Sequence, residues 1–477
     1  MVSSPVTSLS GALLLLGTLP GGVAEYKVDS RDAIVEASRS LARDMMTFYH
    51  GDEPEEIPGI LPGPPPMGDY WWFTAASFWA TCLDYWHLTG DDTYQGVTTS
   101  SLLFQVGPTD NYMTLNWTAT LGNDEQCFWG SAALLAAEYD VPTPEGEPRW
   151  IDIAENVWGT QAHPDRHDDT CGGGLRWQIL PSNNRYDYKN TLSNACFFTM
   201  GARLARFTGN ETFADYSVET WDWLTTVGLV DTETWAVYDG AMVDDNCTKV
   251  EKTQFSQNAA MLTQGAAFMY NFTNGSDAWR ERAEKLSDAM LKTFFPDGIA
   301  YEVACEGNNM CTTDMLFMKG YAHRWLASAT QMAPFLAEKV LPVLQTSAEA
   351  AAKQCEENST DGDDGAASQR CGFYWRNETF VDVEDSGMGN SGAAEGISVF
   401  AAVSNLLISE AEAPATAATL GDAGNSTGTS EGGSSSGTSG EASPSGTAAS
   451  DSGASRYRAE IMVSMLLGVV AMFAWAV

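Results

Sequence analysis

The sequence predicts an all-α fold, a closed (α/α)6 barrel of helical hairpins, on three observations. Long stretches carry apolar residues at i, i+3 and i+4, and no run of alternating strand pattern competes with them. Very apolar helices alternate with more polar, amphipathic ones, as two concentric layers require. The junctions repeat: "LTGDDTY" (88–94), "FTGNETF" (207–213) and "FTNGSDAW" (272–279) each end an apolar helix with a Gly-containing turn and open a polar one. An open solenoid would use the same hairpins; the closed ring is preferred for six of them.

The period runs through "YWWFTAASFWATCLDYWHLTG", "EQCFWGSAALLAAEYD", "NTLSNACFFTMGARLARFTGN", "SQNAAMLTQGAAFMYNFT" and "TTDMLFMKGYAHRWLASATQ". "GNSGAAEGISVFAAVSNLLISE" adds a late apolar helix. "RDAIVEASRSLARDMMTFY", "TFADYSVETWDWLTTVG", "DAWRERAEKLSDAMLKTFF" and "APFLAEKVLPVLQTSAEAAAK" carry the same period. The total comes to about twelve helices.

Residues 1–24 pass from a polar start through "GALLLLGTLP" to "GGVA" and read as a secretory signal cleaved after Ala24, although no basic residue precedes the apolar core. The folded unit is expected over 25–410. From 411 to 455 the chain turns to Ser, Gly, Thr and Ala, the composition of a flexible, O-glycosylated stalk. Residues 456–477 end on the apolar "IMVSMLLGVVAMFAWAV", which fits a GPI-attachment signal cleaved near Ser450–Gly453 better than a retained membrane helix. Eight Asn-x-Ser/Thr sequons, at Asn116, Asn210, Asn246, Asn271, Asn274, Asn358, Asn377 and Asn425, agree with a cell-surface glycoprotein. Nine cysteines without a C-x-x-C read as disulfides with one left over; Cys305 with Cys311 and Cys355 with Cys371 are candidate staples.

A formal charge of −38, from 63 acids against 25 bases, excludes a polyphosphate partner such as nucleic acid. It is compatible with a neutral carbohydrate. The sixteen Trp point the same way, because indole faces stack on sugar rings, though they also serve as core.

"GNDEQ" (122–126) opens an apolar helix, and four other loops pair aromatics with polar groups: "GDYWW" (68–72), "CGGGLRWQ" (171–178), "RYDYKNT" (185–191) and "VYDGA" (237–241). In a toroid they converge on one cleft. "GNDEQCFWG" sets Asp124 and Glu125 side by side. A helix N-terminus with acids in its first turn is one reading. The other is a catalytic pair, in which the first ionised carboxylate keeps its neighbour protonated. The loop context favours catalysis. Asn123, Arg176, Trp177, Trp71, Trp72, Tyr188, Asp69 and Asp239 are candidate sugar contacts, with packing roles open for Arg176 and the aromatics. His163 and His167 stand four apart, but Pro164 between them favours a solvated loop over a zinc site. "DGDDG" (361–365) lacks the distal glutamate of a calcium loop.

"GNDEQCFWG", "CGGGLRWQI", "YKNTLSN.CFF..GARLARFTGN" and "YWHLTGD" together resemble glycoside hydrolase family 76, the endo-α-1,6-mannanases, and closest its fungal GPI-anchored cell-wall branch. The resemblance spans roughly 25–405. It implies an (α/α)6 barrel, retaining chemistry on α-1,6-linked mannose, Asp124 as nucleophile and Glu125 as general acid/base, with no cofactor or metal. It further implies a monomer acting on α-1,6-mannan or a GPI-core glycan, with wall glucan as an acceptor and the membrane reached through the GPI lipid. The chain departs from the family motif at Glu125, where Asp is usual. A catalytically weak, mannan-binding wall protein is the alternative.

Overall fold

The computed structural model describes residues 26–64, 68, 70–114, 116–117, 121–357, 369–377, 380–381 and 392–425. The expected signal peptide, the greater part of the expected stalk, the C-terminal signal, Asp69, Asn358 and the 361–365 loop lie outside the described residues.

Six helices form the inner layer: α2 (Trp72–Thr89), α4 (Asn123–Glu138), α6 (Thr191–Thr208), α8 (Ser256–Phe272), α10 (Met318–Met332) and α12 (Gly392–Ser404). Six form the outer layer: α1 (Arg31–Met46), α3 (Gln95–Phe104), α5 (Trp150–Gln161), α7 (Glu211–Val227), α9 (Asp277–Phe294) and α11 (Ala337–Ala352). Each inner helix touches the next, and α12 packs back on α2, so the ring is closed: an (α/α)6 barrel. Burial separates the layers as the sequence pattern requires. In α8 every residue from Ser256 to Met269 is buried, whereas α9 buries a single stripe of Trp279, Ala283, Leu286, Ser287, Met290 and Phe294.

The repeated junctions work as helix stops. Gly90 ends α2 and Gly209 ends α6 in the left-handed conformation, with φ of 76° and 74°, where a Cβ would be penalised. Asn210 then caps α7, its side chain accepting from the Thr212 N–H. The sequence pattern did not single out α3 and α5. Three short strands were also unforeseen: β1 (Tyr188–Asn190), β2 (Gly240–Met242) and β3 (Val250–Glu251) make an antiparallel sheet in the order β1-β2-β3. At two or three residues they are too short to show a period of two. A second pair, β4 (Cys355–Glu357) and β5 (Gln369–Cys371), is clipped by a disulfide.

At the far end of the inner helices lie two buried ion pairs, Arg203–Glu138 at 2.6 Å and Arg324–Asp84. Tyr139 and Asn405 also donate to Asp84. They line a cavity of about 40 Å³ that Pro414 helps to close. The chain therefore stays on the barrel beyond Glu410: Ala415 N–H donates to the Glu138 carbonyl, and Arg206 donates to the carbonyls of Pro414 and Ala415. A further helix, α13 (Ala417–Asn425), follows, and the compact unit runs to Asn425. Residues 411–425, expected to open the stalk, thus belong to the compact unit. Their composition is poor in apolar side chains, but their backbone carbonyls satisfy Arg206, which composition does not register.

Four disulfides form: Cys127–Cys196, Cys171–Cys247, Cys305–Cys311 and Cys355–Cys371. The last two are the expected staples, and Cys82 is the buried unpaired thiol. Among the sequons, Asn116, Asn210, Asn246, Asn271, Asn274 and Asn377 are exposed, while the side chain of Asn425 lies outside the described residues.

Cys127–Cys196 joins α4 to α6 across a separation of 69 residues. Replacing both by Ala is expected to lower stability by about 4 kcal/mol through restored freedom of the unfolded chain. Denaturant unfolding of the secreted protein checks this.

Candidate active site

Each outer helix returns the chain, so all six inner helices run the same way and start at one end of the ring. There α4 begins. Gly122 precedes it in extended conformation, and a Cβ at this position would stand 2.5 Å from Asp124 Oδ1 and 3.4 Å from the Trp177 ring. Only glycine lets the loop pass this close to the carboxylate.

Asp124 is 5% exposed and Glu125 half-buried, in the first turn of α4, where free backbone N–H groups favour negative charge. Asp124 Oδ1 accepts the Glu125 N–H at 2.9 Å, and Oδ2 accepts the Asn190 side-chain amide at 3.1 Å. Glu125 Oε2 turns back to accept the Gly122 N–H at 2.9 Å. Burial pushes the Asp124 carboxyl up to about 7, against the opposing hydrogen bonds from Asn190 and the backbone, with Asp239 adding to the rise. Glu125 goes up to about 8, first from burial and then from the neighbouring Asp124, with a smaller contribution from Asp314. The order follows from the geometry: Asp124 has the better donors and gives up its proton first.

Two more carboxyls act on the pair. Asp239 accepts the Tyr188 hydroxyl at 2.7 Å, and burial raises its pKa. Asp314 stands in a 3-10 turn, Thr313–Phe317, next to the stapled Cys305–Cys311 loop. Its side chain reaches solvent, yet the surrounding protein desolvates the carboxyl enough to push it up to about 6. No hydrogen bond or ion pair joins Asp314 to another described residue.

The candidate sugar contacts divide. Trp71 is 41% exposed at the start of α2, and Trp177 is half-buried beside Gly122. Asp239 is half-buried near the pair. The others are occupied by the protein itself. Trp72 is buried, stacked on Trp129 with ring centroids 4.9 Å apart and donating to Gln105, so neither face is left for a sugar. Every polar group of Asn123 is used: its N–H donates to the Trp177 carbonyl and its Nδ2 to that of Arg176, while its Oδ1 accepts from Arg166 and its carbonyl from Gln161. Arg176 bonds Asp168 and the Tyr186 carbonyl and lies over the Tyr186 ring, bracing the Gly-rich loop. Tyr188 is buried under Arg185 and spends its hydroxyl on Asp239.

Sequence reasoning passed over Asn190, Lys189, Asp168, Arg166 and Asp314. Asn190 carried one readable signal, an N-cap residue directly before the apolar α6. His163 is exposed in a loop and His167 packs on Phe197. Among the described residues no three His, Cys, Asp or Glu side chains come together as a metal site.

The core role of Trp72 has a measurable consequence. Trp72→Ala is expected to cost about 3–5 kcal/mol of stability, as other large-to-small core changes do. Trp71→Ala should stay within about 0.5 kcal/mol. Thermal and denaturant unfolding of the two variants distinguishes them.

The family model for glycosyl hydrolase family 76 matches residues 33–418. The mannan endo-1,6-alpha-mannosidase DCW1 of Saccharomyces cerevisiae is 37% identical over 98% of both chains. The crystal structure of Dfg5 from Chaetomium thermophilum in complex with glucosamine superposes with a TM-score of 0.79 at 52% identity, covering 83% of this chain and 95% of that one. More distantly, the α-1,6-mannanase GH76A of Salegentibacter, solved as an inactive variant with two consecutive aspartates replaced and α-1,6-mannotriose bound, shares the fold at a TM-score of 0.60 and 15% identity, covering 79% of this chain and 99% of that one. By the match along most of its length and by these relatives, the chain belongs to glycosyl hydrolase family 76 and is a glycoside hydrolase.

Proposed function

We propose that this chain is a cell-surface, GPI-anchored α-1,6-mannosidase or transglycosidase of the retaining type, in which Asp124 is the nucleophile and Glu125 the general acid/base. The observation that carries the reading is the pair itself: adjacent carboxyls, buried in a helix first turn, with Asp124 the easier to ionise. A structural pair would avoid that repulsion, whereas acid/base division uses it.

In the first step the Asp124 carboxylate attacks the anomeric carbon. The C1–O bond to the leaving sugar breaks, and Glu125 gives that oxygen its proton. In the second, Glu125, now ionised, takes a proton from water or from an acceptor hydroxyl. The oxygen so activated attacks C1 and releases Asp124. Two inversions return the α configuration. Hydrolysis and transfer share the glycosyl ester and differ in the acceptor that reaches it; wall glucan is the acceptor proposed for transfer.

The names of the yeast relatives support α-1,6-mannose as the substrate. The glucosamine bound by the Chaetomium protein supports a GPI-core glycan in particular. Its unacetylated amine is cationic, and Asp239 and Asp314 provide carboxylates that act on the Asp124–Glu125 pair.

The proposed tests use the secreted protein with α-1,6-mannohexaose and mass-spectrometric product analysis. Shorter products mean hydrolysis, and longer ones transfer. Asp124→Asn is expected to abolish both, and Glu125→Gln to reduce kcat by about 10²–10⁴-fold. Undiminished turnover in Asp124→Asn would sink the assignment, and tight mannoside binding without turnover in the parent would favour a wall-binding protein instead.

The pH–rate profile of kcat/KM should be a narrow bell. Activity falls as pH drops below about 7, where Asp124 gains a proton, and as it rises above about 8, where Glu125 loses one. Both limbs belong to the coupled pair.

A further inference from the structure

Lys189 is completely buried in the middle of β1. Its ammonium is ringed by four acceptors: Asp168 Oδ1 at 3.0 Å and the carbonyls of Thr170 at 2.8 Å, Gly173 at 2.7 Å and Gly174 at 3.0 Å. Asp168 in turn accepts from the Thr170 N–H and hydroxyl and from Arg176. The Gly-rich loop is thus wrapped around a single charge. Burying a charge is an expensive way to hold a loop, because its desolvation must be offset by partners placed around it.

Two routes lead from this charge to Asp124. Along the strand, the next residue, Asn190, donates to Asp124 Oδ2 and caps α6 through Ser193. Along the loop, the carbonyls of Arg176 and Trp177 hold the side chain and N–H of Asn123, the residue before Asp124. The Trp177 N–H donates to the Tyr188 carbonyl and closes the circuit on β1. The nucleophile is gripped from both sides, and both grips start at the same ammonium. Cys171–Cys247 ties the start of the loop to the residues after β2, and Asn194 of α6 holds the N–H and the carbonyl of Leu175, so Lys189 is the charged one of three anchors on this segment.

We propose that Lys189, paired with Asp168, is a positioning residue of the glycosidase reaction, fixing the Asp124 carboxylate through Asn190 and Asn123 in the orientation from which it attacks the anomeric carbon. The proposal rests on the reading of Asp124 as nucleophile. The charged and titratable groups around the lysine are Asp168, Arg176 and His167; those around Asp124 are Glu125 and Asp239.

The experiment compares Lys189→Met, Asp168→Asn and Asp124→Asn in the full-length secreted protein, with kcat and KM on α-1,6-mannohexaose measured across pH. A nucleophile displaced by about 1 Å loses about 10²-fold in rate, so Lys189→Met should lower kcat by that order while KM changes less than about twofold. Loosening the Asn190 hydrogen bond removes a contact that favours the ionised carboxylate, so the acid limb should move to higher pH. Asp168→Asn, which keeps an acceptor for Lys189 and the three carbonyls, should fold and show the same changes in smaller degree. Folded variants with unchanged kcat and an unmoved acid limb, whatever their thermal stability, would overturn the proposal, as would a rise in KM alone. If Asp124→Asn itself retains turnover, the nucleophile has been misassigned, and the proposal falls with that reading rather than on the lysine variants.

Discussion

A carboxylate buried in the first turn of α4 has to be held by dipoles, because water no longer solvates it. Asp124 meets that condition with a backbone N–H from its own helix and one amide from Asn190. The opposition between desolvation and these donors leaves its proton affinity near neutrality and that of Glu125 slightly higher. Much of the surrounding structure exists to place those two donors. Gly122 has to lack a side chain, Asn123 has to be saturated with partners, and β1 has to pass beside the start of α4.

The barrel makes this placement rigid. Inner helices such as α8 are buried around most of their circumference, so they cannot roll without opening gaps against both neighbours. Cys127–Cys196 adds a covalent link between α4 and α6 within one turn of Asp124 and Glu125. At the opposite end the buried Arg203–Glu138 pair binds α6 to the neighbouring α4 by charge, and Arg324–Asp84 binds α10 to α2 past the intervening α12. Such pairs lose stability steeply when one partner is removed, which favours a single arrangement of the ring.

Glutamate at 125 reads differently once its contact is visible. The additional methylene, compared with the family's usual aspartate, lets the carboxyl fold back onto the Gly122 N–H, as the third residue of a capping box does. One oxygen is thereby anchored and the other left available.

The helical repeat, the two layers, the stop signals at Gly90 and Gly209 and the paired acids were all legible in the chain itself, because each depends on residues close in sequence. Tertiary structure alone decided which candidates are free to meet a sugar. Trp71 and Trp72 are adjacent and chemically identical, yet one is exposed and the other is stacked on Trp129. Asn123, Arg176 and Tyr188 have polar groups suited to a ligand and spend them on Trp177, Asp168 and Asp239. Asn190 reaches Asp124 across 66 residues, and Lys189 reaches Asp168 across 21. Local periodicity reports which face of a helix is apolar. It carries no information about which distant donor will satisfy a buried charge, and that was settled only when the ring closed and brought β1, the Gly-rich loop and α4 together.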